Sequence, residues 1–286
     1  MAYSVDKLIH LVSQIKSRFS RSHKVSGKPK NTHKFLGFQI PIDLLLLTGG
    51  GPETFDETAL HHRKLLFKYL DLKSTDLVFE LGCGIGRDAI HLAKLEPTIG
   101  RYVGVDIIQD SITWASANIT RKHPNFLFYH NNVRDQLHNP SGKLHFSEVQ
   151  LPLPDKSVDK IFSWSVFTHM SEDIIKHYLS EFTRVLKDDG TGFASCFIVN
   201  EEVLNAASKV NLTPYDLKFR YAYGPGCYVN NLEFPMGAVA FTESKLDDML
   251  LKSGLIRRTD FFRGAWSGYW DNPVDGQDGF CFGKIE

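Results

Sequence analysis

Three alternating glycines directly after a short apolar segment constrain the fold of this chain more than any other feature. The apolar segment is Val78–Leu81, the glycines are Gly82, Gly84 and Gly86, and a helical pattern begins near Arg87. Glycine allows a sharp turn after a strand and lets the backbone come within contact distance of a ligand. The sequence therefore predicts a strand, a tight turn and a helix whose free N–H groups face whatever binds above the strand.

A second apolar segment, Arg101–Ile108, follows about twenty residues later and contains an acid at the end of its strand pattern. This acid is Asp106, and a carboxylate at that position can accept hydrogen bonds from both hydroxyls of a ribose. The glycine spacing is G-x-G-x-G after Glu80, whereas a dinucleotide site has G-x-G-x-x-G. Together the two segments predict a site for a nucleoside with a small zwitterionic tail. The alternative is a glycine-rich turn that binds nothing.

From about residue 77 to residue 197 the chain resembles the class I S-adenosylmethionine-dependent methyltransferases. The stretches that carry this resemblance follow the order of the family's motifs and are Glu80–Gly86, Val103–Ile107, Leu151–Phe162, Ser165–Met170 and Tyr178–Gly190. The resemblance implies methyl transfer from S-adenosylmethionine, and it says little about the substrate.

The alternation of strand and helix patterns predicts an α/β fold with a doubly wound, mostly parallel seven-stranded sheet and an antiparallel last strand. Predicted strands are 77–81, 101–106, 126–130, 159–164, 191–198, 256–262 and 279–284, and predicted helices are 53–70, 87–95, 110–122, 172–187 and 243–253. The last helix is expected to begin after Thr242 as its N-cap. No helix pattern separates the final two strands, which favours an antiparallel pair.

Two regions are expected outside this core. Residues 1–60 are predicted to form a helical, basic arm followed by a segment that borders the pocket, and residues 61–286 to form the methyltransferase domain. An aromatic insertion at about 199–241 interrupts that domain. Insertions at the carboxyl edge of such a sheet overhang the ligand crevice, so we expect this one to cover the substrate, or to pack its aromatic side chains onto the sheet.

The arm carries apolar residues at three- and four-residue steps from Val5 to Phe19, followed by basic residues without an acid. Such a helix either packs on the core or on a second copy in a homodimer, or it makes a peripheral contact with an anionic membrane or another partner through residues 5–34.

Composition favours a soluble intracellular enzyme. Acids and bases balance to a net charge of +0, so we expect no nucleic-acid partner. The four cysteines are scattered, and they are interpreted as reduced thiols rather than as disulfides or a metal site. No membrane-spanning or secretory pattern is visible, which predicts a cytoplasmic location.

The resemblance assigns cofactor contacts to particular residues. The glycines would let the backbone approach the methionine part, and Glu80 would hold its ammonium directly or through water. Arg87 either steadies the carboxylate or is a solvated helix residue. Asn132, where the family often has an acid, would accept from the adenine amine. The expected cofactor-binding residues are Glu80, Gly82, Cys83, Gly84, Gly86, Arg87, Asp106, Ile107, Asn132, Val133, Ser163 and Ser165.

The leading candidate for a general base is His169, in the loop that follows the fourth predicted core strand, because imidazole titrates near neutrality. Alternatively, His169 orients the helix that begins after Ser171. Other groups expected near the pocket are Glu53, Asp56, Asp271 and the turn Trp266–Trp270. No metal site is expected.

The predicted function is methylation of a small-molecule acceptor at oxygen or nitrogen, because the insertion is aromatic and the net charge is zero. The alternatives are a protein or peptide methyltransferase, or a regulatory subunit that keeps the fold without catalysis.

Overall fold

The computed structural model describes residues 31–285, so the helix predicted for the N-terminal arm lies outside the described residues. The strands are β1 Thr32–Phe35, β2 Phe38–Pro41, β3 Leu77–Leu81, β4 Arg101–Asp106, β5 Phe126–His130, β6 Val158–Ser163, β7 Leu186–Cys196, β8 Tyr221–Ala222, β9 Cys227–Val229, β10 Val239–Phe241, β11 Leu255–Arg257 and β12 Asp278–Lys284. The α-helices are α1 Ile42–Leu45, α2 Pro52–Leu70, α3 Arg87–Lys94, α4 Gln109–Ala115, α5 Glu172–Val185, α6 Glu201–Lys209 and α7 Glu243–Lys252.

The main sheet has the strand order β11-β12-β7-β6-β3-β4-β5. Neighbouring strands are parallel, except that β12 is antiparallel to both β7 and β11. This confirms the predicted seven-stranded, mostly parallel sheet and its antiparallel last strand. Strands β4 and β5 lie on one side of β3, and β6 and β7 lie on the other. The carboxyl end of β3 is therefore at the switch point where open α/β sheets bind ligands.

Helices cover both faces of this sheet, because successive residues of a strand point to opposite sides. Val78 packs with residues of α2, α3 and α4, whereas the next residue, Phe79, packs with residues of α5 and α7. Parallel strands that are buried on both faces read as continuous apolar runs, which is the pattern the sequence shows. At the start of α7 the Thr242 side chain accepts from the Lys245 N–H, as expected of an N-cap.

Three predicted elements differ from the structure by several residues, and the others by at most two. Strand β7 is Leu186–Cys196, whereas the predicted strand is 191–198. The strand predicted over 256–262 is regular only as β11, Leu255–Arg257. The Thr259 hydroxyl accepts the N–H of Cys281, so a side chain takes the place of a backbone carbonyl in the pairing with β12. Backbone pairing with β12 resumes only as an isolated bridge between Phe262 and Gly279. The helix predicted over 110–122 is α-helical to Ala115 and π-helical over Ser116–Thr120.

Part of the segment predicted as arm and pocket border is a β-hairpin of β1 and β2. Leu36 and Gly37 form its turn with φ angles of 44° and 84°, the left-handed pair that two-residue hairpin turns require. Phe35 and Phe38 are both buried, and the Phe35 ring lies 5.1 Å from that of Phe55 on α2. The hairpin therefore covers the outer face of α2.

The insertion contains α6 and a small antiparallel sheet of β10, β9 and β8. One of its aromatic residues packs onto the rest of the domain, since the Phe219 ring lies 5.3 Å from those of Phe197 and Trp266, which are both outside the insertion. Others are exposed, including Tyr221 and Tyr223. Packing onto the domain therefore applies to some of these aromatics, and a role of the others in covering the substrate stays a prediction.

The two ends of the insertion are hydrogen-bonded to each other. The Val199 N–H donates to the Phe241 carbonyl, and the Phe241 N–H donates to the Phe197 carbonyl, both at 2.9 Å. The insertion therefore leaves and rejoins the domain at one place.

Asp278 anchors that place to the main sheet. Its fully buried carboxylate accepts from the Ile198 N–H, the Gly264 N–H and the Trp266 indole N–H at 2.7–2.9 Å. Burial raises the pKa of Asp278, against the effect of these donors. Among the described residues, no helix has the length and apolar character needed to cross a membrane.

Candidate active site

The glycine loop joins β3 to α3 in a left-handed backbone conformation. The φ angles are 80° at Gly82, 51° at Gly84 and 82° at Gly86, values that residues with a Cβ rarely adopt. The N–H groups of Gly82 and Cys83 both donate to the Val105 carbonyl, at 2.8 and 3.1 Å. The loop is therefore tied to β4, the strand that carries the predicted ribose acid.

Asp106 holds the middle of this loop. Its Oδ2 accepts the Gly84 N–H at 2.7 Å, and its Oδ1 accepts the Ile108 N–H at 2.8 Å. Burial raises the pKa of Asp106, and these two donors oppose that shift. Each carboxylate oxygen has a second lone pair, so the group can still accept a ribose hydroxyl. The structure thus brings together the two halves of the predicted nucleoside site.

Glu80 lies beneath the loop rather than at its surface. Its side chain is buried, and the Tyr102 hydroxyl on β4 donates to its Oε2. Burial raises the pKa of Glu80 well above its usual range, and the charge of Asp88 adds to the shift. The neighbouring Cys83 thiol is also buried, and burial raises its pKa. The contact of Glu80 with the ammonium stays a prediction, and its observed role is to support the loop from below.

Arg87 is not a solvated helix residue. Its side chain is only 15% exposed, and it lies against a buried pair formed by His62 and Asp88, whose atoms approach to 3.0 Å. The Arg87 Nη2 is 3.5 Å from His62 Nδ1. Burial lowers the pKa of His62 despite the Asp88 carboxylate, so we assign a neutral imidazole beside a charged carboxylate. The contact of Arg87 with the methionine carboxylate stays a prediction.

The groups expected at the adenine end have partners within the protein. Asn132 Oδ1 accepts from the Asn139 side chain at 3.3 Å, and the Val133 N–H donates to the Asn131 carbonyl at 2.7 Å. Ile107 is half-buried against the core. The adenine contacts of these residues stay predictions.

The two serines after β6 differ in accessibility. Ser163 is buried, and its hydroxyl donates to the Leu81 carbonyl at 3.2 Å, which links β6 to β3. Ser165 is exposed and has a φ of 58°. The next residue, Val166, packs directly on the glycine loop, because a Cβ on Gly82 would lie 2.2 Å from its Cγ2. Ser165 therefore borders the loop, whereas Ser163 braces the sheet.

Residues 78–190 match the family model of a methyltransferase domain. This part of the chain is a methyltransferase domain, as the resemblance to the class I S-adenosylmethionine-dependent methyltransferases implied. A U6 snRNA (guanine-N(2))-methyltransferase of Bos taurus is 31% identical over 124 residues, which are 42% of this chain and 22% of that protein. The match thus spans less than a quarter of that relative.

Solved structures share the fold at low identity. An S-adenosylmethionine-dependent methyltransferase from Clostridium acetobutylicum superposes with a TM-score of 0.51 and 13% identity, over 85% of this chain and 96% of that chain. The 1,6-didemethyltoxoflavin-N1-methyltransferase of Burkholderia thailandensis, solved with bound 1,6-didemethyltoxoflavin and S-adenosylhomocysteine, gives a TM-score of 0.50 and 16% identity, over 100% of this chain and 92% of that chain.

The site formed by the glycine loop and Asp106 suits S-adenosylmethionine, the cofactor of class I methyltransferases. A Cβ on Gly84 would meet only Thr48, at 3.6 Å, so the absent side chain leaves space above the loop. Thr48 lies in the segment predicted to border the pocket. The Tyr215 hydroxyl of the insertion donates to the Gly49 carbonyl at 3.4 Å. The two regions expected to border the pocket therefore meet near the glycine loop.

His169 lies in a short 3-10 turn after β6 and contacts the insertion. Its Nδ1 is 3.2 Å from the Met236 carbonyl. Burial, with the nearby His138 ring, lowers the pKa of His169 to about 4, so it is neutral near pH 7 and a weak base. These contacts are those of a residue that positions the insertion. The proton-accepting role predicted for it is not tested by them.

The sequence prediction missed a polar group at the carboxyl edge of β6 and β7. It consists of His61, Trp164, Ser195, Asp275 and Gln277 around the predicted Ser165. His61 and His62 read as ordinary helix residues, and no local pattern connects them to the loop before β12. The only sequence signal was an acid and an amide in a glycine-containing segment ahead of an apolar strand.

Proposed function

We propose that this protein transfers the methyl group of S-adenosylmethionine to a small-molecule acceptor at oxygen or nitrogen. The observation that carries the proposal is the bond from the Gly84 N–H to Asp106 Oδ2, at 2.7 Å. It fixes a bare backbone turn and a carboxylate side by side at the switch point of the sheet. A nucleoside with a charged tail needs both groups at that place.

The chain's own contribution is positioning and exclusion of water. Asp106 would hold the ribose, the backbone of Gly82 and Gly84 would approach the methionine part, and Thr48 would help cover the site. S-adenosylmethionine, when bound, supplies a methyl group that is electrophilic because it is attached to a sulfonium. Alignment of the reacting atoms can lower the barrier of such a transfer by about 7–11 kcal/mol.

A small acceptor is supported by the cover and by the charge of the chain. The segment at Gly49 and the insertion at Tyr215 meet near the glycine loop, as expected of two segments that together cover a small acceptor. A net charge of +0 does not favour a polyanionic acceptor, because nucleic-acid affinity comes largely from basic residues that neutralise phosphates. The name of the bovine relative concerns RNA, but its match covers only 42% of this chain.

The test is calorimetry with S-adenosylhomocysteine. We expect binding by the wild-type protein and a loss of about 10²–10⁴-fold in Asp106→Ala, since two hydrogen bonds to a charged group contribute roughly 1.5–3 kcal/mol each. Asp110→Ala removes an exposed acid from the first turn of α4 and is the matched control. Tight binding of NAD with none of S-adenosylhomocysteine would refute the proposal. Methylation of an acidic peptide, but of no compound in a metabolite pool, would favour the protein-substrate alternative.

A further inference from the structure

Three hydrogen bonds form a closed ring at the carboxyl edge of the sheet. The Ser165 N–H donates to Ser195 Oγ at 2.7 Å, the Ser195 hydroxyl donates to Gln277 Oε1 at 2.7 Å, and Gln277 Nε2 donates to Ser165 Oγ at 2.8 Å. The ring joins the ends of β6 and β7 to the loop before β12. It holds Ser165 at a φ of 58°, and an unfavourable backbone angle that neighbouring groups maintain is typical of functional sites.

A carboxylate beside this ring connects it to α2. Asp275 Oδ2 accepts from the Trp164 indole N–H at 3.2 Å, and Asp275 Oδ1 is 3.3 Å from His61 Nε2. Trp164 is buried, and its ring stacks on that of His62 with centroids 3.9 Å apart. The carboxylate is thus fixed on one side by a buried indole, and on the other it faces an imidazole.

The imidazole of this pair is accessible. The His61 side chain is 41% exposed and that of Asp275 is 22% exposed. With Nε2 directed at the carboxylate, Nδ1 carries the free lone pair and can accept a proton. A carboxylate that holds one imidazole nitrogen fixes the tautomer and stabilises the imidazolium that forms on the other.

The position of the pair relative to the glycine loop follows from neighbouring residues. Trp164 and Ser165 immediately precede Val166, whose side chain packs on Gly82. The ring and the carboxylate therefore lie at the side of the glycine loop that faces β6. This is the side opposite β4, where Asp106 marks the ribose end.

We propose that His61, oriented by Asp275, accepts the proton of a hydroxyl acceptor that the Ser165–Ser195–Gln277 ring orients. This inference rests on the proposed function and deepens it, since it selects oxygen over nitrogen as the methylated atom. The acceptor oxygen forms a bond to the methyl carbon, the carbon–sulfur bond breaks with its electron pair on sulfur, and the hydroxyl proton moves to His61 Nδ1.

A base matters more for a hydroxyl than for an amine. A neutral amine attacks with its lone pair and can lose its proton to water afterwards, whereas an alcohol or phenol is a weak nucleophile until a base takes its proton. His169, the base predicted from the sequence, is half-buried, and its Nδ1 is occupied by the Met236 carbonyl. His61 has the carboxylate partner and the exposure that this role requires.

The experiment uses the full chain and two pairs of matched probes, phenol with aniline and cyclohexanol with cyclohexylamine, at saturating labelled S-adenosylmethionine. We expect the hydroxyl probes to be methylated by the wild-type protein, and His61→Ala to lower that rate by about 10²-fold or more. Added imidazole should restore part of the rate in His61→Ala, because it can occupy the vacated space and act as the base.

Asp275→Asn should lower the rate of hydroxyl methylation less than His61→Ala does, and added imidazole should not restore it. His145→Gln and Asp260→Asn alter exposed residues and are the controls.

Two further measurements separate this inference from the proposed function. Calorimetry with S-adenosylhomocysteine should give wild-type affinity for His61→Ala, which shows that the variant is folded and that the cofactor site is intact. In ¹⁵N-histidine NMR of that complex, phenol should shift one ring signal that is absent from His61→Ala. Binding of S-adenosylhomocysteine by the wild-type protein supports the cofactor site whatever the role of His61. The inference about His61 is overturned by any of three results: no hydroxyl probe is methylated, His61→Ala methylates the hydroxyl probes at the wild-type rate, or imidazole does not restore the rate of His61→Ala.

Discussion

The contact between Gly82 and Val166 allows a quantitative test of how the glycine loop is built. Gly82 and Gly84 both have positive φ angles, of 80° and 51°, so alanine is strained at either position by about 1–2 kcal/mol. Their surroundings differ. A Cβ on Gly82 would lie 2.2 Å from Val166 Cγ2, whereas a Cβ on Gly84 would lie 3.6 Å from Thr48 Cγ2, an ordinary contact.

Gly82→Ala should therefore lower the free energy of unfolding by more than Gly84→Ala does. Relieving the overlap requires Val166 to change rotamer or the backbone to move, and overpacking of this kind typically costs about 1–3 kcal/mol. With strain included, we expect a loss of about 2–5 kcal/mol for Gly82→Ala and of about 1–2 kcal/mol for Gly84→Ala. Gly84→Ala should still weaken S-adenosylhomocysteine binding, since its methyl group enters the space above the loop.

Urea denaturation followed by circular dichroism measures both losses. A double-mutant cycle isolates the overlap: Val166→Ala should destabilise the wild-type protein but be neutral or stabilising in the Gly82→Ala background. Equal midpoints for Gly82→Ala and Gly84→Ala, or additive effects in the cycle, would show that a methyl group at position 82 does not overlap with Val166. Our account of the packing of the loop would then be wrong.

Two further predictions concern stability. Burial lowers the pKa of His169 to about 4, from a value near 6.5 in the unfolded chain. Between these two pH values the unfolded chain therefore binds more protons than the folded protein. The free energy of unfolding should then fall on acidification, by up to about 1.4 kcal/mol per pH unit. His169→Asn should flatten that dependence in denaturation measured from pH 7 to pH 5, and a slope that is unchanged would contradict the assignment. Asp278→Ala leaves three buried N–H donors without an acceptor and should destabilise the protein by about 3 kcal/mol or more, whereas the exposed Asp260→Ala should have little effect on the melting temperature.

The parallel core was predictable because its signals are local. Strands β3, β4 and β5 have the predicted bounds, since each is an apolar run that ends at a glycine or a polar residue where it leaves the sheet. The hairpin of β1 and β2 was missed because its turn is Leu36–Gly37, and leucine at a positive φ angle gives no turn signal. The helix α6 and the small sheet of the insertion were also not predicted, because their elements are short and the strands β8, β9 and β10 have at most three residues each.

The candidate site shows the same division. The glycine loop and Asp106 are separated by one strand–helix unit, and a spacing rule can connect them. His61 and Asp275 come from opposite ends of the domain, and only the closing strand β12 brings them within 3.3 Å. Neither has a pattern of its own. The hydrogen bond of Glu80 could not be predicted from local sequence either. Strand periodicity gives the face of the sheet to which Glu80 points, but it does not show that the Tyr102 hydroxyl lies on that face.

The paired ends of the insertion have a consequence for how acceptor choice can change. Because Val199 and Phe241 are joined across the base, the chain between them leaves and rejoins the sheet at one place, so its length places little demand on the sheet. Its composition is constrained where Cys227, Val229 and Val239 belong to the main core. A different segment could be inserted between Val199 and Phe241 without changing the register of any strand in the main sheet. Under the proposed function, in which the insertion covers the acceptor, exchange of this one continuous segment would change the acceptor while the cofactor-binding strands keep their register.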